Sequence, residues 1–189
     1  MISFDDILVI DDIIPKSYQD AIEQSIFDDD NFSWFLEKDI TRGGKTFNNY
    51  GFKHTLKFEN GNVASNLLSF FMPMVYTVTE KNNLNYNNII KARIFLQTPR
   101  NNKSYNIPHI DLNYPHLVFL YYVNDSDGDT FLFEETLEDT PNPKKDYQFN
   151  TKKFVSPKKG RGLLFNGNRY HASSNPTKLP RCVINFDLN

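Results

Sequence analysis

Gly160-Arg161-Gly162-Leu163-Leu164-Phe165-Asn166-Gly167-Asn168-Arg169-Tyr170-His171 is the stretch on which the reading of this chain turns. Gly162 to Phe165 is a short apolar run of strand length. Asn166-Gly167-Asn168 is a tight-turn sequence, since Asn and Gly accept left-handed backbone at little cost. A histidine follows the turn. Strand, turn and histidine together suggest a small β protein with chemistry carried at a strand end.

Working outward, the same grammar repeats. Cys182 to Leu188, opened by Arg181, reads as the last strand, and Phe154-Val155 as a short one. Residues 136–150 form a polar loop with Pro141 and Pro143. Thr130 to Glu134 alternates apolar and polar, as a half-buried strand does. His116 to Val123 and Ile89 to Thr98 are further strands. Residues 63–80 carry Val63, Leu67, Phe70, Phe71, Met74 and Val78 at helical spacing, with Pro73 predicting a kink or an early stop. Residues 28–50 hold Trp34, Phe35, Gly43, Gly44, Asn48 and Asn49, and predict an irregular lid or binding segment with one hairpin. Pro15 to Phe27 is helical, with Tyr18, Ile22 and Ile26 four apart, and residues 6–10 a buried strand. Two N-terminal helices followed by at least six short strands predict a β sandwich or barrel with helices on one side.

Composition bounds the rest. At 189 residues the chain fits one domain and can bury most of its apolar surface without disulfides. The single Cys182 excludes an internal disulfide framework and a cysteine zinc ribbon. With 21 Lys+Arg against 23 Asp+Glu the net charge is -2, which argues against nucleic-acid and membrane-surface partners. No apolar run approaches the roughly 18 residues of a membrane span. The acidic first residues lack a signal-peptide pattern, so a reducing cytoplasm is expected. The 23 Asn and 28 aromatics (17 Phe, 10 Tyr, 1 Trp) favour turns and strands and match an AT-rich, for instance viral or phage, genome, for which the compartment is the host cytoplasm.

The chain has only four histidines: His54, His109, His116 and His171. Asp111 stands two residues after His109, and residues i and i+2 of an extended segment point to one side. Two imidazoles and one carboxylate are the donor set of a facial triad that holds non-haem Fe(II) with open positions. Arg181 lies ten residues beyond His171. A guanidinium there suits an anionic co-substrate, because its fork matches a carboxylate bidentately.

In this order and spacing, His109, Asp111, His171 and Arg181 resemble the Fe(II)- and 2-oxoglutarate-dependent dioxygenases, in their prolyl 4-hydroxylase-like branch. Leu117 to Asn124 is similar to a family strand ending Tyr-Leu-Asn. Gly128 to Phe133 resembles its Gly-Gly-Glu-Thr-x-Phe strand, and Val155 to Phe165 its Pro-x-x-Gly-x-x-x-x-Phe approach to the distal histidine. Ile7 to Phe27 resembles the family's opening strand and helix. The resemblance implies a double-stranded β-helix (a cupin-like jelly roll), with residues 1–88 as N-terminal strand, helices and lid and 89–189 as the jelly-roll core of a single domain. It implies iron ligation by His109, Asp111 and His171, and binding of the distal carboxylate of 2-oxoglutarate by Arg181, with Tyr122 on the same carboxylate. Gln97-Thr98 stands where many relatives carry a tyrosine, so Gln97 or Thr98 substitutes as a polar contact, or the contact is absent. The implied reaction hydroxylates a C–H bond of a peptidyl or small-molecule substrate with dioxygen, releasing succinate and CO2, with ascorbate as a reductant. Asp111 favours hydroxylation over halogenation. Two alternatives stay open: a catalytically silent jelly-roll module, and a cupin-type metal enzyme.

Other residues have quieter readings. His116 is structural or substrate-facing, and His54 structural. Trp34 lines a cleft or anchors its loop. Tyr105 lies in a loop that in the family flanks the metal, and Arg93 points into the barrel or outward. Cys182, facing away from Arg181, is packing. The pairs Lys144-Lys145, Lys152-Lys153 and Lys158-Lys159 read as a solvated edge. Specificity is expected in residues 30–55 and 99–108.

Overall fold

The computed structural model describes residues 7–41, 47, 49–102, 104–144 and 146–189. Gly43, Gly44 and Asn48 of the expected lid, Lys145 of the basic edge, and the acidic N-terminus with Asp6 lie outside the described residues.

Ten strands and two helices run in the order β1 (Leu8–Ile10), α1 (Lys16–Phe27), β2 (Phe35–Glu37), β3 (Gly51–Lys57), α2 (Leu67–Lys81), β4 (Ile89–Gln97), β5 (Leu117–Tyr122), β6 (Thr130–Thr136), β7 (Thr151–Val155), β8 (Gly162–Asn166), β9 (Arg169–Ser173) and β10 (Arg181–Leu188). The large sheet has the order β1-β8-β5-β10-β4-β3-β2, and the small one β7-β6-β9. Every pairing between these strands is antiparallel. The chain passes from large sheet to small between β5 and β6, and again across the Asn166–Asn168 turn between β8 and β9. An isolated bridge from His109 to His171 adds a further rung beside β9. This is the expected jelly roll.

Strand alternation sorts the core into layers. On β5, Val118, Leu120 and Tyr122 join Leu132, Leu163 and Phe165 between the sheets. Phe119 and Tyr121 point the other way, towards Ile22 and Ile26 of α1 and Phe71, Met74 and Val78 of α2. The helices thus cover the outer face of the large sheet, as the apolar spacing implied. β10 is buried along its whole length. Its even-numbered residues Cys182, Ile184, Phe186 and Leu188 meet the helix layer. Its odd-numbered residues therefore face the small sheet.

Several expectations needed adjustment. α2 begins at Leu67, because Val63 pairs with Lys57 in an isolated bridge and stays exposed. Pro73 does not stop it. The proline sits on the exposed side, where water can replace the hydrogen bond that its missing N–H removes. β3 and β9 were not foreseen, and large-sheet strands come from both sides of residue 88. Among the described residues no helix is long and apolar enough to cross a membrane.

Candidate metal centre

His109 and His171 are brought together by backbone. Each donates its N–H to the other's carbonyl, at 2.9 and 3.0 Å, and their rings sit with centroids 4.6 Å apart. Asp111, two residues on, faces the same side. One donor atom from each of His109, Asp111 and His171 lies within 4.8 Å of the others. His171 Nε2 is 3.5 Å from Asp111 Oδ2, and the two side chains are 7% and 8% exposed.

The ring tautomers follow from the carbonyls they meet. His109 Nδ1 is 3.1 Å from the Ile107 carbonyl, and His171 Nδ1 is 3.2 Å from the Arg169 carbonyl. A carbonyl only accepts, so each Nδ1 carries a proton, and Nε2 is the nitrogen each ring turns towards the cluster. Burial, reinforced by the His171 ring, pushes His109 down to about 4, so it is neutral at ordinary pH. Burial alone would raise Asp111; the His171 contact and the Arg93 guanidinium outweigh it and hold the carboxyl well below its usual range. Arg93 Nη2 donates to Asp111 Oδ1 at 2.9 Å, and Asn185 Nδ2 to Oδ2 at 3.1 Å. Two imidazoles anchored through Nδ1 and an ionised carboxylate, each oriented from behind, fit a divalent transition metal.

The triad opens on a cavity with about 70 Å³ of room for the centres of water-sized groups. Arg181 reaches the same cavity from the far end of β10. Its Nε donates to the Gly128 carbonyl at 2.9 Å, Nη1 to Gln97 Oε1 at 3.0 Å, and Nη2 to Thr130 Oγ1 at 2.8 Å. All three acceptors are neutral, and no carboxylate among the described residues pairs with this buried cation. Burial lowers its pKa, yet a guanidinium stays protonated. Gly128 lies so close that a Cβ there would stand 3.0 Å from Arg181 Cδ.

Tyr122 is set behind this cradle. It donates its O–H to Thr130 Oγ1 at 2.8 Å, and its ring centroid is 5.9 Å from the guanidinium carbon. Thr130 Oγ1 therefore accepts from both Tyr122 and Arg181, which leaves its own proton for the cavity it lines. Gln97 lines the cavity too, whereas Thr98 lies past the end of β4 and away from it. A second hollow of about 250 Å³ shares Thr41, Arg93, His109 and Asp111 with the first, and reaches Glu37 and Lys53.

The remaining candidates disperse. His116 is buried, its Nδ1 2.8 Å from the Tyr114 carbonyl and its ring against Gly167, so it packs the β8–β9 turn. His54 Nδ1 meets the Ser33 carbonyl at 2.8 Å beside Phe32. Trp34 packs on Phe32 at the edge of the helix-side core, not on the cavity. Tyr105 lies against Phe131 and Phe133 on the outer side of the small sheet. Cys182 is buried on the helix side, where burial pushes its thiol up. Lys158 pairs with Asp11 at 3.1 Å, and Lys159 with Asp20 at 2.6 Å, as a solvated edge would. Thr130 and Asn185 were missed by sequence reasoning. The signal for Thr130 was present in the Gly128-Asp129-Thr130 motif; Asn185 carried none beyond a polar residue inside an apolar strand.

No protein-family model matches the chain, and no curated protein sequence does. Solved structures do. A prolyl-4-hydroxylase from Pseudomonas putida superposes with a TM-score of 0.60 at 11% identity, over 97% of this chain and 91% of that one. The viral collagen prolyl hydroxylase of Paramecium Bursaria Chlorella virus-1, solved with 2-oxoglutarate, gives 0.57 at 10%, over 96% and 94%. SnoN, a non-heme α-ketoglutarate-dependent epimerase from nogalamycin biosynthesis, gives 0.68 at 12%, over 98% and 78%. With identities this low the likeness speaks for architecture: the chain has the fold of the prolyl 4-hydroxylases and other 2-oxoglutarate–Fe(II) oxygenases, and carries a His–Asp–His cluster upon it.

Proposed function

We propose that the chain is a non-haem Fe(II)- and 2-oxoglutarate-dependent oxygenase that hydroxylates a C–H bond of a peptidyl or small-molecule substrate. The observation that carries this is Arg181. A guanidinium desolvated among neutral partners is costly unless an anion completes it. It shares its cavity with three metal donors. A dicarboxylate that chelates a metal through one end and needs a cation at the other fits that pairing.

The residues divide the work as follows. His109 and His171 present Nε2, and Asp111 supplies negative charge. Arg181 receives the distal carboxylate through its fork, held in plane by Gly128, Gln97 and Thr130, and the Thr130 hydroxyl donates the next hydrogen bond. Val183 and Leu120, which line the same cavity, keep water from its middle. Iron and 2-oxoglutarate, when bound, supply the activation of dioxygen coupled to release of succinate and CO2. Substrate enters by the hollow between Glu37, Lys53 and Thr41, in line with specificity residing in residues 30–55. The prolyl hydroxylases among the similar structures favour a peptidyl substrate.

The test is spectroscopic and then chemical. Anaerobic protein with Fe(II) and 2-oxoglutarate should develop a weak visible charge-transfer band, and oxygen should then yield succinate. Asp111→Ala should give neither. Arg181→Ala should weaken 2-oxoglutarate by about 3–5 kcal/mol, as for a broken buried charge pair. A silent module would give no band, and a cupin-type metal enzyme would bind the ion without it.

A further inference from the structure

β4 and β10 pair so that Arg93 stands opposite Asn185, and Lys91 opposite Asp187. All four side chains point to the cavity side of the sheet. They form two stacked rungs directly behind Asp111. Arg93 Nη2 takes Asp111 Oδ1 at 2.9 Å and lies 3.6 Å from Asp187 Oδ2; Lys91 Nζ lies 3.4 Å from that same oxygen. Asp187 is 1% exposed on its side chain. The Arg93 guanidinium also lies 5.0 Å from the Phe95 ring centroid. Arg93 is therefore fixed on three sides: by a carboxylate behind, an aromatic face beside it, and the ligand carboxylate in front.

The two oxygens of Asp111 are not equivalent in this setting. Oδ1 is engaged by a cation at 2.9 Å, while Oδ2 accepts from the neutral Asn185 amide at 3.1 Å and is the oxygen 3.5 Å from His171 Nε2. An oxygen already bonded to guanidinium is a poor second metal donor. From this, and resting on the function proposed above, we infer that Arg93 is a positioning residue. It holds Asp111 to one-oxygen ligation through Oδ2, with Asp187 as its buttress, and so keeps a coordination position open for co-substrate and dioxygen. Without Arg93, Oδ1 of Asp111 is free to turn to the metal as well, and Asp187 is left with Lys91 as its cation. Among the described residues Arg93 shares no hydrogen-bond or ion-pair partner with Arg181.

Co(II) alone is the probe, because its visible ligand-field bands report coordination number as well as occupancy. The full chain, Arg93→Met, Arg93→Lys and Asp187→Asn are titrated with Co(II), with near-UV circular dichroism as a check of folding. Arg93→Met should bind Co(II) about 10- to 100-fold more weakly, the usual cost of removing an outer-shell partner, and shift the band. Arg93→Lys, which keeps the charge but loses the fork, should recover most of the affinity and retain an altered band. Asp187→Asn should reproduce the band change in weaker form. If Arg93→Met does not fold, the band of Arg93→Lys decides. A wild-type band in Arg93→Lys, or weaker affinity with an unchanged band in Arg93→Met, overturns positioning in favour of simple charge. Those outcomes overturn positioning alone, because metal still binds; wild-type protein that binds no Co(II) overturns the proposed function as well, so the two failures read differently.

Discussion

Thr130 concentrates the chemistry of the cradle in one hydroxyl. With both lone pairs taken by Tyr122 and Arg181, its proton is committed to the cavity. Thr130→Val should weaken 2-oxoglutarate by about 1.5–3 kcal/mol, the scale of a hydrogen bond to a charged group, with metal affinity unchanged. Anaerobic calorimetry with Mn(II) in place of iron checks both. Gly128→Ala works through crowding. Its methyl would press on Arg181 Cδ and on backbone at 3.0 Å, so co-substrate affinity should fall while the triad still binds metal. The triad itself was legible because its order along the chain is a pattern. Arg93 and Asn185 were not, since their partner Asp111 lies 18 and 74 residues away. Proximity of that kind is a product of sheet register.

At the scale of elements, legibility followed side-chain chemistry. β5, β8 and β10 announce themselves by apolar runs. β9 does not, because Arg169, His171 and Ser173 occupy its alternate positions and two of them are buried in spite of polarity. β3 hides for another reason: Lys53, His54, Thr55 and Lys57 dilute its alternation near the sheet edge. Both helices were legible because their apolar spacing serves packing alone, although α2 starts later than its apolar spacing suggested and runs through Pro73. Phe71 on α2 is fully buried, so Phe71→Ala should cost about 3–5 kcal/mol in urea unfolding. Phe154 on β7 is 62% exposed, and Phe154→Ala should stay within about 0.5 kcal/mol. A reversal of that order would mean the helix layer is not part of the cooperative core.

For the whole molecule, acid stability rests on carboxylates paired in the native state. Asp11, hydrogen-bonded by Arg161, is lowered to about 2. Asp127 is lowered further: the Thr177 hydroxyl and the backbone N–H groups of residues 177–179 outweigh its partial desolvation. A depressed folded pKa contributes stability above the unfolded value near 4, and that stability is lost as pH falls through the folded value. The unfolding midpoint in urea should therefore decline from pH 4 towards 2, and less so in Asp127→Asn. The order of synthesis matters as well. β10 stands at the centre of the large sheet, pairing β5 on one side and β4 on the other, and those two are not paired with each other. A nascent chain that has made Tyr122 but not yet Leu188 carries two unsatisfied strand edges where the middle of its sheet will be. Such edges invite other chains. Until β10 has inserted between them, association with other chains competes with completion of the sheet.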